Sequence, residues 1–418
     1  MIKQEIGEFI LDQVISRFLR YVQIWTTSDE NATTFPSNKN QFELGSLLVK
    51  ELEELGMKNI IQDEFSYVYA DLPASEGLEN IMPIGLIAHL DTSNMVSGKD
   101  VKPIIHKNYN GSPILFPHNK DISLTIDDSP ELENYVGCDI ITSAGDTLLG
   151  ADNKAGIAEI MTACAVWTKY PQFKHGKITV CFTPDEEIGK GTYKIDKNRL
   201  PEICYTIDGS ELGELEIECF DARKAAITFH GISVHPGYAK DLMINAIHVA
   251  SRFLSDLPEY ESPEHTEEKE GFFHLMQLQG NEEKATATLL LRDFDSNNNE
   301  TRKTYLSHLK DLYELKYPGL KIEIKYLYQY KNMLTYLEKQ PEVINLAKEA
   351  IKKANLELKM HPIRGGTDGA RLSEMGIPTP NIFTGGLLFH SRKEYIPTNS
   401  MQKACEVILY LAELWSNK

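Results

Sequence analysis

Two adjacent glutamates, Glu186 and Glu187, directly follow an apolar run that extends from Ile178 to Phe182. A buried strand that ends in such a pair brings two negative charges to the edge of a sheet. The charges repel each other unless a proton or a cation lies between them. On an extended segment the two side chains would point to opposite sides, so one could bind a metal while the other acts on a substrate as a base. A solvated acidic turn is the alternative for an isolated pair.

A histidine and an aspartate follow a second apolar run. The uninterrupted stretch Ile81 to Ala88 predicts a buried strand that delivers His89 and Asp91 at its end. With this spacing, His89 can bind a metal while Asp91 accepts the hydrogen of the other ring nitrogen, which would fix the tautomer. A His-x-Asp pair with a purely structural role is the alternative.

Asp152 and Asp208 also lie where predicted elements begin or end. Asp152 precedes the helix predicted over Ile157 to Tyr170, where it could cap the helix or bridge two metals. Asp208 follows the strand predicted over Ile203 to Ile207. Because ligands gather at the carboxyl edge of the strands in open α/β sheets, these positions together predict one metal site at that edge.

Length and composition limit the class of protein. A chain of 418 residues is longer than one hydrophobic core usually organises, so two domains are expected. The net charge of −18 argues against nucleic-acid binding.

The six cysteines form no Cys-x-x-Cys pair, which indicates a reducing compartment and a metal site without thiolates. No apolar run approaches the roughly 20 residues that span a bilayer, and the N-terminus does not resemble a signal peptide. We therefore expect a cytoplasmic protein without a membrane partner.

Hydrophobic periodicity predicts alternating helices and strands, and hence an α/β fold. Helices are predicted over Met1–Thr26, Gln41–Leu55, Ile157–Tyr170, Asp241–Leu257, Gln340–Ala354 and Ser400–Trp415. Strands are predicted over Ile60–Tyr69, Ile81–Ala88, Ile178–Phe182, Ile203–Ile207, Lys224–His230, Ala285–Arg292 and Asn381–Thr384. Residues 93–144 are rich in turn formers and predict loops and short hairpins. A shift in composition near residue 220 predicts a compact α/β insert.

A set of longer motifs carries a family resemblance. The motifs are His-Leu-Asp-Thr-Ser at 89, Thr-Leu-Leu-Gly-Ala-Asp at 147, Phe-Thr-Pro-Asp-Glu-Glu at 182, Gly-Glu-Leu-Glu at 213, His-Pro-Gly at 235, Arg-Asp-Phe-Asp at 292 and Arg-Gly-Gly-Thr-Asp-Gly at 364. Along nearly its whole length the chain resembles the peptidase T family, within the dizinc exopeptidase clan that also contains aminoacylase and carboxypeptidase relatives. The resemblance implies a mixed-sheet catalytic domain at 1–219 and 331–418, with an inserted α/β lid and dimerisation domain at 220–330.

The resemblance further implies two zinc ions per subunit. The ligands would be His89, Asp208, Asp152, Glu187 and His390. The first three would hold one ion and the last three the other, so that Asp152 is shared. Asp91 would orient His89, and Glu186 would be the general base. Independently of the family, histidine and carboxylate ligands suit zinc.

The implied activity is the release of the N-terminal residue from short peptides, tripeptides in particular, that carry a free N-terminus. His235 would donate a hydrogen bond to the oxyanion. Arg292 would hold the terminal carboxylate of the peptide, with a structural ion pair as the alternative. Arg364, in the glycine-rich loop, is a further candidate for substrate binding. A homodimer through the lid domain is expected.

Several residues depart from the family pattern. Leu388 replaces an amide, Ser391 a glycine, Asn153 a second aspartate and Asp221 an asparagine. None of them removes a ligand, but they leave the substrate preference open. A carboxypeptidase or an N-acyl-amino-acid deacylase on the same fold is the alternative enzyme. A non-catalytic metal-binding relative is the alternative from another class, and the retention of Glu186 with a full ligand set argues against it.

Overall fold

The computed structural model describes residues 2–418, which form two compact units. The first unit contains the chain up to 217 together with 336–360 and 367–418, and the second contains 218–335 and 361–366. The structure thus groups 218–219, 331–335 and the separate segment 361–366 with the second unit, whereas the sequence prediction places them in the catalytic domain. A β-bridge between Cys219 and Ile363 attaches this segment to the second unit.

The first unit is built on a mixed sheet of seven strands. Their spatial order is β1 (Lys58–Gln62), β2 (Val68–Leu72), β8 (Ile178–Thr183), β3 (Ile84–His89), β9 (Cys204–Gly209), β15 (Asn381–Phe383) and β10 (Leu215–Glu216). Strands β8, β3, β9 and β15 run parallel, and the outer pairs are antiparallel. The predicted mixed-sheet α/β class is confirmed. The central strands β3 and β8 are buried at every residue, as their unbroken apolar runs predict.

Helices and two smaller sheets complete the first unit. The helices are α1 (Gln4–Tyr21), α2 (Gln41–Glu54), α3 (Ala151–Lys169), α7 (Pro341–Lys353), α8 (Asp368–Glu374) and α9 (Thr398–Ser416), and the short α6 (Leu334–Leu337) lies at the chain connection. The small strands are β4 (Ile104–His106), β7 (Ile140–Thr142) and β16 (Tyr395–Pro397) in one sheet, and β5 (Ile114–Phe116) and β6 (Asn119–Leu124) in the other. Helix α3 is buried on all sides between β3, α1 and α9, as a helix apolar all round must be.

One predicted strand of the first unit is two strands in the structure. The stretch Ile60 to Tyr69 is interrupted by a tight turn between β1 and β2, in which Ser66 has a φ of 74°. The carboxylate of Asp63 stabilises this turn, because one of its oxygens accepts the backbone N–H groups of Phe65 and Tyr67, each at 2.9 Å. The turn therefore depends on a side-chain contact that apolar periodicity does not report.

The second unit is an antiparallel sheet with helices packed on its apolar face. Its strands, in spatial order, are β12 (Phe272–Gly280), β13 (Lys284–Asp293), β11 (Asp221–His230) and β14 (Lys321–Tyr330), and its helices are α4 (Ala246–Ser255) and α5 (Ser296–Lys316). The core joins side chains of the strands and of both helices. The sequence predicted β11, β13 and α4 but missed β12, β14 and α5. The missed strands are the sheet edges and the missed helix is mostly polar, so their apolar patterns are weak.

Two expectations from composition can be compared with the structure. All six cysteines are free thiols, five of them buried. Between residues 2 and 418, no helix combines the length and the apolar character needed to cross a membrane.

Candidate active site

The ends of the parallel strands gather the predicted ligands at one edge of the sheet. His89 is the last residue of β3, and Asp208 lies near the end of the neighbouring β9. Glu186 and Glu187 follow the end of β8, on the other side of β3. Asp152 lies at the start of α3, in a turn whose φ and ψ at Asp152 and Asn153 are not helical. The carboxyl edge of the parallel strands is therefore where the acidic and imidazole side chains meet.

The first predicted trio is brought together around the ring of His89. Its Nε2 lies 2.9 Å from Oδ1 of Asp152 and 3.3 Å from Oδ1 of Asp208. The imidazole is buried, with 2% of the side chain exposed. On the other side of the ring, Nδ1 lies 3.1 Å from the backbone oxygen of Asp91 and 3.3 Å from its Oδ1. Both contacts come from the residue predicted to orient this histidine.

The second predicted trio is brought together around His390. Its Nε2 lies 3.1 Å from Oδ2 of Asp152 and 2.9 Å from Oε2 of Glu187. The two oxygens of Asp152 therefore face two different imidazoles. This is the arrangement expected of a carboxylate shared between two sites.

The turn that carries the glutamates differs from the expected extended segment. Glu186 to Ile188 form a single 3-10 turn, entered through Asp185 at a φ of 55°. The assumption that alternation along a strand separates the two glutamates is therefore wrong. The turn is fixed instead by Asp91, whose Oδ1 accepts the backbone N–H of Glu186 at 2.9 Å and whose Oδ2 accepts that of Glu187 at 3.1 Å. Of the two glutamates, Glu187 is the one paired with His390.

Burial and the neighbouring charges shift the pKa values in this cluster. Burial raises the pKa of Glu187 to about 8 and that of Asp208 to about 6, and the carboxylate of Asp152 pushes both in the same direction. Burial also raises the pKa of Glu186 well above its ordinary value. Burial acts to lower the pKa of His390, but hydrogen bonds to Asp152 and Glu187 outweigh it and raise that pKa to about 11. A positive charge close to these carboxylates would therefore stabilise their ionised forms.

The donor set fits a divalent metal ion. Ligand atoms of His89, Asp152 and Glu187 all lie within 4.8 Å of one another. Two ligand atoms on a tetrahedral ion, each bound at about 2.0–2.1 Å, lie about 3.3 Å from each other. The histidine nitrogens and carboxylate oxygens of this cluster are separated by 2.9 to 3.3 Å, which is close to that value. Within residues 2–418, the buried Oε1 of Glu187 has no hydrogen-bond partner. An oxygen that binds a metal ion is expected to lack such a partner.

Comparison with known proteins identifies the family. Residues 149–414 match the model of Peptidase family M20/M25/M40. The chain is 47% identical to peptidase T of Geobacillus sp. (strain WCH70), over 97% of this chain and 99% of the relative. The chain belongs to this peptidase family. The membership confirms the resemblance that the motifs carry: the chain is a peptide hydrolase of the peptidase T type, an aminopeptidase.

Solved structures share the fold. Aminopeptidase PepT from Bacillus cereus ATCC 10987 superposes with a TM-score of 0.75 at 20% identity, covering 98% of this chain and 99% of that one. A tripeptidase from Staphylococcus aureus subsp. aureus Mu50 gives 0.76 at 21% identity, with the same coverage. A dinuclear metal-binding peptidase of the M20 family from Bacillus subtilis gives 0.65 at 14% identity, covering 97% and 98%. At these identities the superpositions establish the architecture of the peptidase.

The three predicted substrate-binding residues lie in the second unit. His235 is exposed, and its Nδ1 accepts the backbone N–H of Gly237 at 3.1 Å. Arg292 is only 8% exposed and donates to the backbone oxygens of Arg223 and Leu291 at 3.0 and 3.1 Å. These contacts are structural, but they are not the ion pair that the sequence suggested as the alternative.

Arg364 also makes structural contacts within the second unit. Its guanidinium donates to the backbone oxygens of Glu268 and Glu270 at 2.7 and 3.0 Å and to Oγ1 of Thr266 at 2.9 Å. It thereby ties the segment 361–366 to residues 266–270 of the same unit. The predicted role of Arg364 in substrate binding stays a prediction.

The residues that depart from the family pattern have different surroundings. Asn153 is fully buried, and neither atom of its amide finds a partner within the described chain. Asp221 is buried in the second unit and accepts a hydrogen bond from Asn299 at 2.9 Å. Leu388 has a φ of 54° and His390 a φ of 59°, so the segment between them is not extended. Ser391 donates to the backbone oxygen of Leu388 at 2.7 Å, which tightens this turn.

Sequence reasoning missed three buried carboxylates beside the site. Asp185 accepts the N–H and the hydroxyl of Ser37, each at 2.6 Å, and the amide of Gln41 at 2.7 Å. Asp368, within the predicted glycine-rich loop, accepts the hydroxyl of Thr183 at 2.6 Å. The third is Glu394, which accepts the backbone N–H groups of Leu149, Gly150 and Asp152. The first two lie in motifs quoted from the sequence, whereas no local pattern points to Glu394.

Proposed function

We propose that this peptidase removes the N-terminal residue of short peptides, tripeptides in particular, with two divalent metal ions held at the carboxyl edge of the sheet. The observation that carries the proposal is the position of Asp152, whose two oxygens face His89 and His390 separately. A carboxylate that only formed an ion pair would need one such partner. Two partners, each with a further carboxylate beside it, suit two ions that share one ligand.

The residues suggest how the two ions would be held. His89 and Asp208 would bind one ion, Glu187 and His390 would bind the other, and Asp152 would bind both. Imidazole and carboxylate ligands without thiolates favour zinc among the abundant divalent metals. When bound, the two ions would polarise the scissile carbonyl and make a water molecule acidic enough to be deprotonated near neutral pH.

Glu186 would be the general base. It lies beside the ligand cluster but, unlike Glu187, it is not paired with a histidine. Its backbone is held by Asp91, which fixes the position of the side chain. Burial raises the pKa of Glu186 well above its ordinary value, so the carboxylate can accept a proton from the attacking water and pass it to the leaving amine.

The class of substrate is supported by the chemistry of the site and by its relatives. A site rich in carboxylates offers partners to the cationic α-amine of a peptide and none to an N-acyl group. Solved structures with the same fold are an aminopeptidase and a tripeptidase. We infer that the substrate carries a free N-terminus and is short.

The second unit would serve as the lid and dimerisation domain. Its exposed His235 is available to donate to an oxyanion. Arg292 is buried, and binding of a peptide carboxylate would need its guanidinium to exchange the backbone oxygens that it now contacts. A cytoplasmic location fits the six free thiols.

A substrate panel tests the proposal. The zinc-loaded enzyme should cleave free tripeptides, release the first residue, and leave N-acetylated tripeptides and N-acyl amino acids intact. Release of the C-terminal residue would instead identify a carboxypeptidase, and hydrolysis of acyl amino acids a deacylase. A protein that binds zinc but cleaves none of these substrates would be the non-catalytic relative.

A further inference from the structure

We propose that Glu394 is a positioning residue for the shared metal ligand. Its carboxylate accepts backbone N–H groups of the turn that leads into α3, and this holds the backbone from which the carboxylate of Asp152 faces both histidines. The inference rests on the metal site proposed above, but it concerns a residue that contacts none of the ions.

The contacts of Glu394 are short and buried. Its Oε2 accepts the backbone N–H groups of Leu149 at 2.7 Å and Gly150 at 2.8 Å, and its Oε1 accepts that of Asp152 at 3.2 Å. The residue is 1% exposed, so these donors have replaced water around the carboxylate. Hydrogen bonds to a carboxylate are shorter and stronger than those between neutral groups.

These contacts fix the backbone from which the shared ligand projects. The turn is not helical at Asp152 and Asn153, and Gly150 has no side chain that could hold the N–H groups of the turn. Glu394 accepts three of these N–H groups, including that of Asp152 itself, while the two oxygens of Asp152 face His89 and His390. The orientation of the shared ligand therefore depends on a residue 242 positions away.

The same short segment carries a ligand and the positioning residue. His390 lies four residues before Glu394 in the sequence. The segment that contains both is followed by β16, in which Tyr395 pairs with Thr142 of β7. One short segment thus supplies a ligand, His390, to one proposed ion and holds the backbone of Asp152, the ligand that both proposed ions share. Loosening Glu394 should disturb both ions, whereas loss of a single ligand should disturb mainly one.

Glu394→Gln tests the inference with little change in volume. The amide keeps only one acceptor oxygen, so its NH₂ group must face a backbone N–H that cannot accept its hydrogens. The matched control is Asp63→Asn, which changes a carboxylate that also accepts two backbone N–H groups in the first unit but contacts none of the proposed ligands.

Metal affinity is the first readout, measured for Zn²⁺ by competition with a chelator. The visible spectrum of the Co²⁺-loaded protein and hydrogen exchange of residues 149–152 in the metal-free protein are the second and third. We expect Glu394→Gln to bind Zn²⁺ about 10- to 100-fold more weakly, with an altered Co²⁺ spectrum and faster exchange. Asp63→Asn should match wild type in affinity and spectrum, even if its melting temperature falls as far.

Three outcomes would overturn the inference: wild-type affinity in Glu394→Gln, an equal loss of affinity in both variants, or an unchanged Co²⁺ spectrum. If Glu394→Gln does not fold, Glu394→Asp replaces it. That carboxylate is one methylene shorter and cannot reach all three donors, so an intermediate loss of affinity is expected and wild-type affinity again contradicts the inference. Failure of the proposed metal site is a separate result, because wild type itself would then bind no Zn²⁺. Failure of the proposed activity is seen only in the substrate panel, because it leaves these affinities unchanged.

Discussion

The carboxylate of Asp91 accepts the backbone N–H of Glu186 at 2.9 Å. This bond joins the end of β3 to the turn after β8. The residue that contacts the ring of His89 therefore also fixes the backbone of the proposed general base, and its second oxygen does the same for Glu187. Asp91 thus connects a proposed ligand on one strand with the proposed base and a second proposed ligand after the neighbouring strand.

Asp91→Asn should weaken both functions at once. The amide cannot accept both backbone N–H groups, and one charge-assisted bond is worth about 1.5–3 kcal/mol. We expect zinc affinity and kcat/KM each to fall about 10- to 100-fold. Competition with a chelator and kinetics at saturating Zn²⁺ measure the two effects. Asp146→Asn, at a half-exposed side chain that pairs with His118, is the control and should change neither.

Glu186→Gln should separate metal binding from catalysis. The glutamine is nearly isosteric but cannot accept a proton from water, so kcat should fall about 10²- to 10⁴-fold. The zinc content should remain that of wild type, because Glu187 and not Glu186 pairs with His390. Normal turnover by this variant, checked by elemental analysis and steady-state kinetics, would show that another group is the base.

Metal removal should abolish activity and zinc should restore it. We expect dialysis against a chelator to yield inactive protein, and titration to recover full activity at two Zn²⁺ per chain, because the ligands form two trios around one shared aspartate. Full recovery at one equivalent would contradict the second ion. A chain that keeps its activity after complete removal of metal would contradict the proposed chemistry.

Glu159 should make stability depend on pH. The residue is fully buried in α3, its two oxygens have no partner within the described chain, and burial raises its pKa well above the ordinary value of 4.5. The folded state therefore keeps the proton, whereas the unfolded chain releases it above pH 4.5. The stability contributed by the protonated form is complete below that pH and is lost as pH rises toward the folded pKa, by about 1.4 kcal/mol per unit.

Glu159→Gln tests this dependence because glutamine does not titrate. The variant should gain stability relative to wild type between pH 5 and pH 7.5, as followed by urea unfolding at both values. Glu64→Gln, at an exposed position, is the control. An equal difference between Glu159→Gln and wild type at both pH values would show that Glu159 is ionised in the folded protein.

Leu388 should influence the preference for the first residue of the substrate. The side chain lines a pocket of about 430 Å³ together with His390, Val96 and Ile122, although it also packs against the core around Tyr395. Leu388→Asn would add a polar contact worth about 0.5–1.5 kcal/mol, so the ratio of kcat/KM for polar over apolar first residues should rise about 2- to 12-fold. Asparagine also tolerates the φ of 54° better than leucine.

Tripeptides that differ only in their first residue provide the measurement. Leu115→Asn, at an exposed leucine of β5, is the control for a general effect of the substitution. If the ratio is the same in wild type and Leu388→Asn, position 388 packs into the core without contacting the substrate.

The local sequence determined the central strands and the positions of most of the proposed ligands. Strands β3 and β8 are buried on both faces, so their apolar character is continuous and visible in the sequence. Polar residues with readable chemistry follow these runs, and His89 and the pair of Glu186 and Glu187 are predicted in this way. The choice of Glu187 as the ligand rests on the family resemblance. His390 came only from the family resemblance, because no buried strand leads directly to it.

Only the tertiary structure decided how those residues are held. The carboxylate of Asp185 is held by Ser37, and the turn that carries Asp152 is held by Glu394, partners that are 148 and 242 residues away in the chain. Such contacts arise when distant segments pack together and leave no periodic signal in the local pattern. The edge strands β12 and β14 were missed for a related reason, since exposed strands mix polar and apolar residues and are specified by pairing with β13 and β11. A local pattern reports the burial of its own segment, whereas hydrogen bonds between segments are settled only by the fold.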